Sequence, residues 1–107
     1  TREYAYAQYM NQWVRKVERI GNANYPQSIL RSGNDGRLIL TVAIRRDGHI
    51  EDIKLVKSSG NAKLDKAAID IVKLAEPFAV LPKTDENPSL LYITREWQFS
   101  AGQTSLN

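Results

Sequence analysis

The residues of this chain that could do chemistry are few and far apart. His49 is the single histidine, and it follows Asp47-Gly48, a pair suited to a tight turn. A histidine beside a hairpin turn is exposed, and metal binding would need partners at ligand spacing that the sequence does not supply. Ser58-Ser59-Gly60 offers hydroxyls but forms neither a nucleophile elbow nor a phosphate loop. A serine nucleophile needs a base, and His49 lies about nine residues away at roughly 3.3 Å each, at the other end of one strand. Asp47, Glu51 and Asp52 could pair as carboxylates, but a turn and a strand bulge are poor places to perturb a pKa. Gly33, Gly36 and Gly48 make no dinucleotide fingerprint. Cysteine is absent, which excludes disulfides, thiol catalysis and Cys-based zinc sites. The expectation is a protein that is not an enzyme and uses neither cofactor nor metal.

Composition narrows the remaining classes. A chain of 107 residues with 42% hydrophobic and 25% charged content has the make-up of one folded domain with a modest core. Fifteen basic residues face twelve acidic ones, for a net charge of +3. They are spread out, with Arg45-Arg46 the densest pair, whereas nucleic-acid binders cluster theirs in a stripe. No apolar run reaches the length of about eighteen residues needed to span a membrane. The first residue is Thr1 and the sole methionine is Met10, so the expectation is a fragment or processed product whose targeting information lies upstream.

The periodicities predict the elements. Tyr6, Met10, Trp13, Val17 and Ile20 recur at helical spacing over residues 4–20, with Asn11, Arg15, Lys16, Glu18 and Arg19 on the wet side and Gly21 as the stop. Residues 22–36 read as a connector. Residues 37–46 alternate as a strand whose Leu38, Leu40, Val42 and Ile44 face the core, and Asp47-Gly48 turns it back. In residues 50–58 Ile50 sits on one parity and Ile53 and Leu55 on the other, which a bulge near Glu51-Asp52 reconciles. Asn61 caps a helix buried through Leu64, Ala67, Ala68, Ile71, Val72 and Ala75. Asp65, Lys66, Asp70 and Lys73 face water there, and Pro77 closes the helix. Residues 78–89 are a loop, residues 90–100 a third and longest strand, and residues 101–107 a polar, flexible tail. The resulting α+β order is α-β-β-α-β, two helices on one face of a three-stranded antiparallel sheet.

Such a sheet has two edges whose unpaired N–H and C=O groups are either protected or used. The last strand has no proline, alternates aromatic and β-branched residues, and carries only Arg95 and Glu96 as charges. As an edge it invites another strand.

An ordered set of motifs then resembles one family. Tyr25-Pro26, Gly36-Arg37-Leu38, Asp47-Gly48-His49-Ile50, Val56-Lys57-Ser58-Ser59-Gly60, Leu64-Asp65-Lys66-Ala67-Ala68, Pro77-Phe78 and Trp97-Gln98-Phe99 follow one another as in the C-terminal domain of the TonB energy transducers. The resemblance runs over about residues 13–100. It implies a last strand that is a sheet edge, and a periplasmic domain of a protein anchored in the Gram-negative inner membrane and driven by ExbB–ExbD. It also implies that the domain grips the TonB-box peptide of an outer-membrane transporter, as in siderophore and iron uptake. The box would add as a strand along Leu90, Leu91, Tyr92, Ile93, Thr94 and Arg95. In the best-known members a Gln-Pro-Gln-Tyr-Pro segment also touches the box. The matching stretch is Asn22-Ala23-Asn24-Tyr25-Pro26, which assigns Asn22, Asn24, Tyr25 and Pro26 to the same contact. Asn22 and Ala23 depart from the pattern, which keeps open a TonB- or TolA-like paralogue serving envelope or surface-machinery assembly. A free edge also allows a strand-exchanged homodimer.

Overall fold

The computed structural model describes residues 2–25, 27–32, 35–84, 88–100 and 102–107. Its elements in order are α1 (Arg2–Ala23), α2 (Gln27–Ser32), β1 (Gly36–Arg45), β2 (Ile50–Lys57), α3 (Ala62–Ala75), β3 (Leu90–Ser100) and β4 (Gln103–Leu106). The sheet is four-stranded and antiparallel throughout, with spatial order β2-β1-β3-β4. This corrects the three-stranded expectation: part of the expected tail is a strand. Gln103–Leu106 pairs with Ser100 back to Trp97, and Asn107 extends the pairing by exchanging two backbone hydrogen bonds of 2.9 Å with Glu96.

The alternation read in β1 holds. Leu38, Leu40, Val42 and Ile44 are buried on the helix side, together with Ile93, Trp97 and Phe99 of β3. Tyr9, Trp13 and Val17 of α1 and Leu64, Ala68, Ile71 and Val72 of α3 close the core over them. Tyr9 enters this core although the helical spacing favours Tyr6. Its hydroxyl donates to the Ala79 carbonyl at 2.7 Å, and burial pushes the phenol from 10.0 to about 12. Gly21 does not end α1, which runs on to Ala23. It is buried against β4 instead, where an added Cβ would meet the Thr104 hydroxyl at 3.0 Å.

Two local devices fix β2. At its start, Gly48 has φ +91° and the Phe78 carbonyl sits 2.0 Å from where a Cβ would lie, so only glycine fits the turn. Bulges at Glu51 and Val56 then interrupt the pairing with β1, the first where the parity switch places it. Asn61 caps α3 by accepting from the Lys63 N–H at 2.9 Å. Asp65 overturns the wet-side reading: it is buried and faces back toward the end of β2.

Candidate functional site

The site is built from β3 and from what does not cover it. All ten residues of β1 pair with β3 without a register shift, from Gly36 opposite Phe99 to Arg45 opposite Leu90. The backbone of Glu96 points toward β4, as its exchange with Asn107 requires. Backbone direction alternates along an antiparallel strand, so the N–H and C=O groups of Leu90, Tyr92 and Thr94 point the same way. No strand pairs with them among the described residues. The groups of Leu91, Ile93 and Arg95 point to β1. A second observation agrees: Thr41 and Thr94 lie opposite each other with hydroxyls 2.8 Å apart, the close approach of a pair that is not hydrogen-bonded through its backbone. Leu90, Tyr92 and Thr94 therefore form an open backbone rail. Tyr92 stands 63% exposed on the face away from the helices, while Ile93 is fully buried.

The other half of the same edge is closed twice over. β4 covers it, and β4's own outer N–H groups are capped from α1. Thr104 donates to Asn22 Oδ1 at 2.7 Å, and Leu106 donates to Glu18 Oε2 at 2.8 Å. Helix residues four apart lie about 6 Å from one another, and strand residues two apart about 6.8 Å, so Glu18 and Asn22 match alternate N–H groups of β4.

The structure brings together only part of the expected contact set. Leu90 to Arg95 lie on one open stretch. Asn22 is committed to Thr104, the Asn24 amide donates to the Ile20 carbonyl at 2.9 Å, and Tyr25 is buried edge-on to Phe99. Burial, and then Asp35, raise the Tyr25 phenol above its ordinary value. Pro26 lies outside the described residues. Phe99 is five residues beyond Thr94, about 17 Å along the strand, so this second group sits at the far end of β3 from the rail.

Comparison with known proteins bears directly on this geometry. Residues 21–101 match the protein family described as Gram-negative bacterial TonB protein C-terminal. The chain belongs to this family. The protein TonB of Helicobacter pylori strain J99 is 33% identical over 82 residues, covering 75% of this chain and 29% of that protein. The protein TonB of Neisseria meningitidis serogroup C is 41% identical over 44 residues, 41% of this chain and 16% of the relative. This chain thus spans less than a third of the length of these relatives. The NMR structure of the Helicobacter pylori TonB C-terminal domain superposes with a TM-score of 0.63 over 94% of both chains at 24% identity, which supports the fold. The structure of the HasB C-terminal domain gives a TM-score of 0.51 at 25% identity, covering 82% of this chain and 66% of that one.

Within this TonB-family fold the chemistry-bearing side chains serve structure. Asp65 accepts from the Ser58 hydroxyl, the Ser59 N–H at 3.0 Å and the Ser59 hydroxyl at 2.8 Å. Burial raises this carboxyl, but the three donors outweigh it and hold Asp65 below its ordinary value. His49 is exposed, with Nδ1 3.5 Å from Glu76, whose carboxylate also accepts from the Ile50 N–H at 2.7 Å. Glu51 is ion-paired with Arg45. No group of acidic or histidine side chains able to hold a metal occurs among the described residues. Nor is any described helix long and apolar enough to cross a membrane.

Proposed function

We propose that this chain is the partner-gripping, periplasmic domain of a TonB-type energy transducer, a single non-catalytic domain. Its edge Leu90–Arg95 takes up an extended TonB-box peptide of an outer-membrane transporter as an added strand. ExbB–ExbD act on an inner-membrane anchor elsewhere in the protein, and the grip passes their proton-driven motion to the transporter. The observation that carries this reading is the half-open edge of β3, a straight rail beside a half that the protein itself has closed. Leu90, Tyr92 and Thr94 each offer a backbone donor and acceptor, the Thr94 carbonyl already accepting from Arg95 Nη1 at 2.8 Å. At about 1 kcal/mol net per hydrogen bond, less the cost of ordering the peptide, the grip is weak and reversible. Bonds lying side by side share a pull along the strand.

Titration with a box peptide, read by backbone amide shifts, tests this. The Leu90, Tyr92 and Thr94 amides should move most, and those of Gln103 to Leu106 least. Unmoved β3 amides at millimolar peptide would sink the reading. The commitment of Asn22 to Thr104 favours a second reading, a paralogue whose partner belongs to envelope or surface machinery. Deletion of the gene separates the two: intact siderophore uptake with defective surface assembly supports the second.

A further inference from the structure

We infer that Arg46 is a positioning residue for the open edge: from the β1–β2 turn it holds Leu90, the first rung of the rail, extended before any strand arrives. The inference rests on strand addition at β3 and concerns this chain's own readiness for it. β1 ends at Arg45, which stands opposite Leu90. Just past that pair, Arg46 meets the chain three times. Its N–H donates to the Ser89 carbonyl at 3.2 Å, and its carbonyl accepts from the Leu81 N–H at 3.0 Å. Its guanidinium Nη2 donates to the Pro88 carbonyl. Arg46 thus joins Leu81, which is anchored in the core, to Pro88 and Ser89, where the chain enters β3. The turn itself is fixed to the same segment, because the Phe78 N–H donates to the Gly48 carbonyl at 2.8 Å and Phe78 is buried.

The bond to Ser89 continues the alternation along β3. Ser89, like Leu91 and Ile93, turns its backbone to β1, so Leu90 between them turns outward. That bond lies at the long end of the ordinary range. Pro88 has no N–H to add to the ladder, so its carbonyl is the one backbone group by which it can be held. The guanidinium takes that carbonyl and supplies the second hold on the start of the strand. Tyr92 and Thr94 need no such help, since residues on both sides of each pair with β1. Ordering one residue's backbone costs about as much as one net hydrogen bond returns. A rung that the arriving strand must first straighten therefore adds almost nothing to the grip, whereas a rung already straight adds its full share.

The test uses the isotope-labelled chain and a synthetic peptide that alternates valine with threonine. In the free parent, amide relaxation should find Leu90 as rigid as Tyr92 and Thr94. In Arg46→Gln, Leu90 should gain fast motion while Tyr92 and Thr94 do not. Calorimetric titration should show affinity for the peptide falling about fivefold, the worth of one rung. The amide shift of Leu90 at saturating peptide should shrink, and that of Thr94 should stay. Arg46→Lys, which can still donate to Pro88, should recover part of the affinity. Lys16→Met is the control: it removes another tie to the same connection, the 2.7 Å bond from Nζ to the Pro77 carbonyl, and should leave binding unchanged. Unchanged affinity in Arg46→Gln, a loss spread evenly over Leu90, Tyr92 and Thr94, or an equal loss in Lys16→Met overturns the inference while leaving strand addition intact. If the peptide does not bind the parent, strand addition itself fails and the inference falls with it. Should Arg46→Gln not fold, the free parent still decides: a Leu90 more mobile than Tyr92 and Thr94 overturns the inference.

Discussion

The outer side of β2 and the outer side of β3 are both sheet edges, and they are treated in opposite ways. β2 is broken by bulges at Glu51 and Val56 and carries Glu51, Asp52, Lys54 and Lys57. Glu76 holds its first N–H, and Asp65 holds the Ser58-Ser59 exit. Bulges and charges are the usual means of making an edge unfit for pairing. β3 has no bulge along its ten-residue pairing with β1, and its open stretch Leu90–Arg95 carries one charge, Arg95, at its end. Where β3 is not needed open, β4 and α1 close it. Openness at Leu90 to Arg95 is thus a local exception in a sheet whose other borders are bulged, pinned or capped.

The sharpest way to break that comparison is to place proline at adjacent positions of the open stretch. Ile93→Pro removes a donor to β1 and a fully buried side chain, so it should cost about 4 kcal/mol or more and unfold much of the population at 25 °C. Tyr92→Pro removes a donor that no strand uses and an exposed ring. It should cost about 1 kcal/mol, yet weaken peptide binding about tenfold or more. Urea unfolding and peptide titration read the two effects. Similar stability losses would mean that the alternation assigned to β3 is wrong.

The pinned edge has its own test. Asp65→Ala leaves the Ser58 and Ser59 donors without their acceptor and should cost about 2 kcal/mol. Because the folded carboxyl titrates below its ordinary value of 3.8, its contribution is present above that value and fades as pH falls through the folded pKa. Parent and variant should therefore converge in stability at the acid end and differ most at neutral pH. A constant gap across pH 2 to about 7 would show that the ionised form contributes nothing.

What could be read from sequence was local. The β1 alternation, the turn at Asp47-Gly48, the bulge at Glu51 and the Asn61 cap each depend on residues within a few positions. The run Leu90 to Arg95 was also legible, as a long alternating strand without proline. β4 was not. Its four residues hold only Thr104 and Leu106 as inward positions, and its caps come from a helix 82 and 88 residues away in sequence. Asp65 read as wet because it is charged, although its donors lie only six and seven residues before it. Gly21 read as a helix stop, whereas the close approach of Thr104 is what calls for it. Within the site, the parity of the rail and the reach of Arg95 depended on knowing where β4 ends.

The smallest expected effect probes the seam between the two halves of β3. Glu18→Ala and Asn22→Ala each leave one β4 N–H without its acceptor and should each cost about 1 kcal/mol. The two acceptors hold one short strand, so the double variant should lose β4 as a unit. Amide exchange at Thr104 and Leu106 would quicken at least tenfold while that at Ile93 stays slow. With β4 gone, the open rail gains Glu96, Gln98 and Ser100, and a longer strand can dock. Tighter binding of a long peptide, or a dimer in sedimentation, would show that α1 sets the length of the usable edge through Glu18 and Asn22. Unchanged affinity and unchanged exchange would place that limit in β4's own pairing with β3.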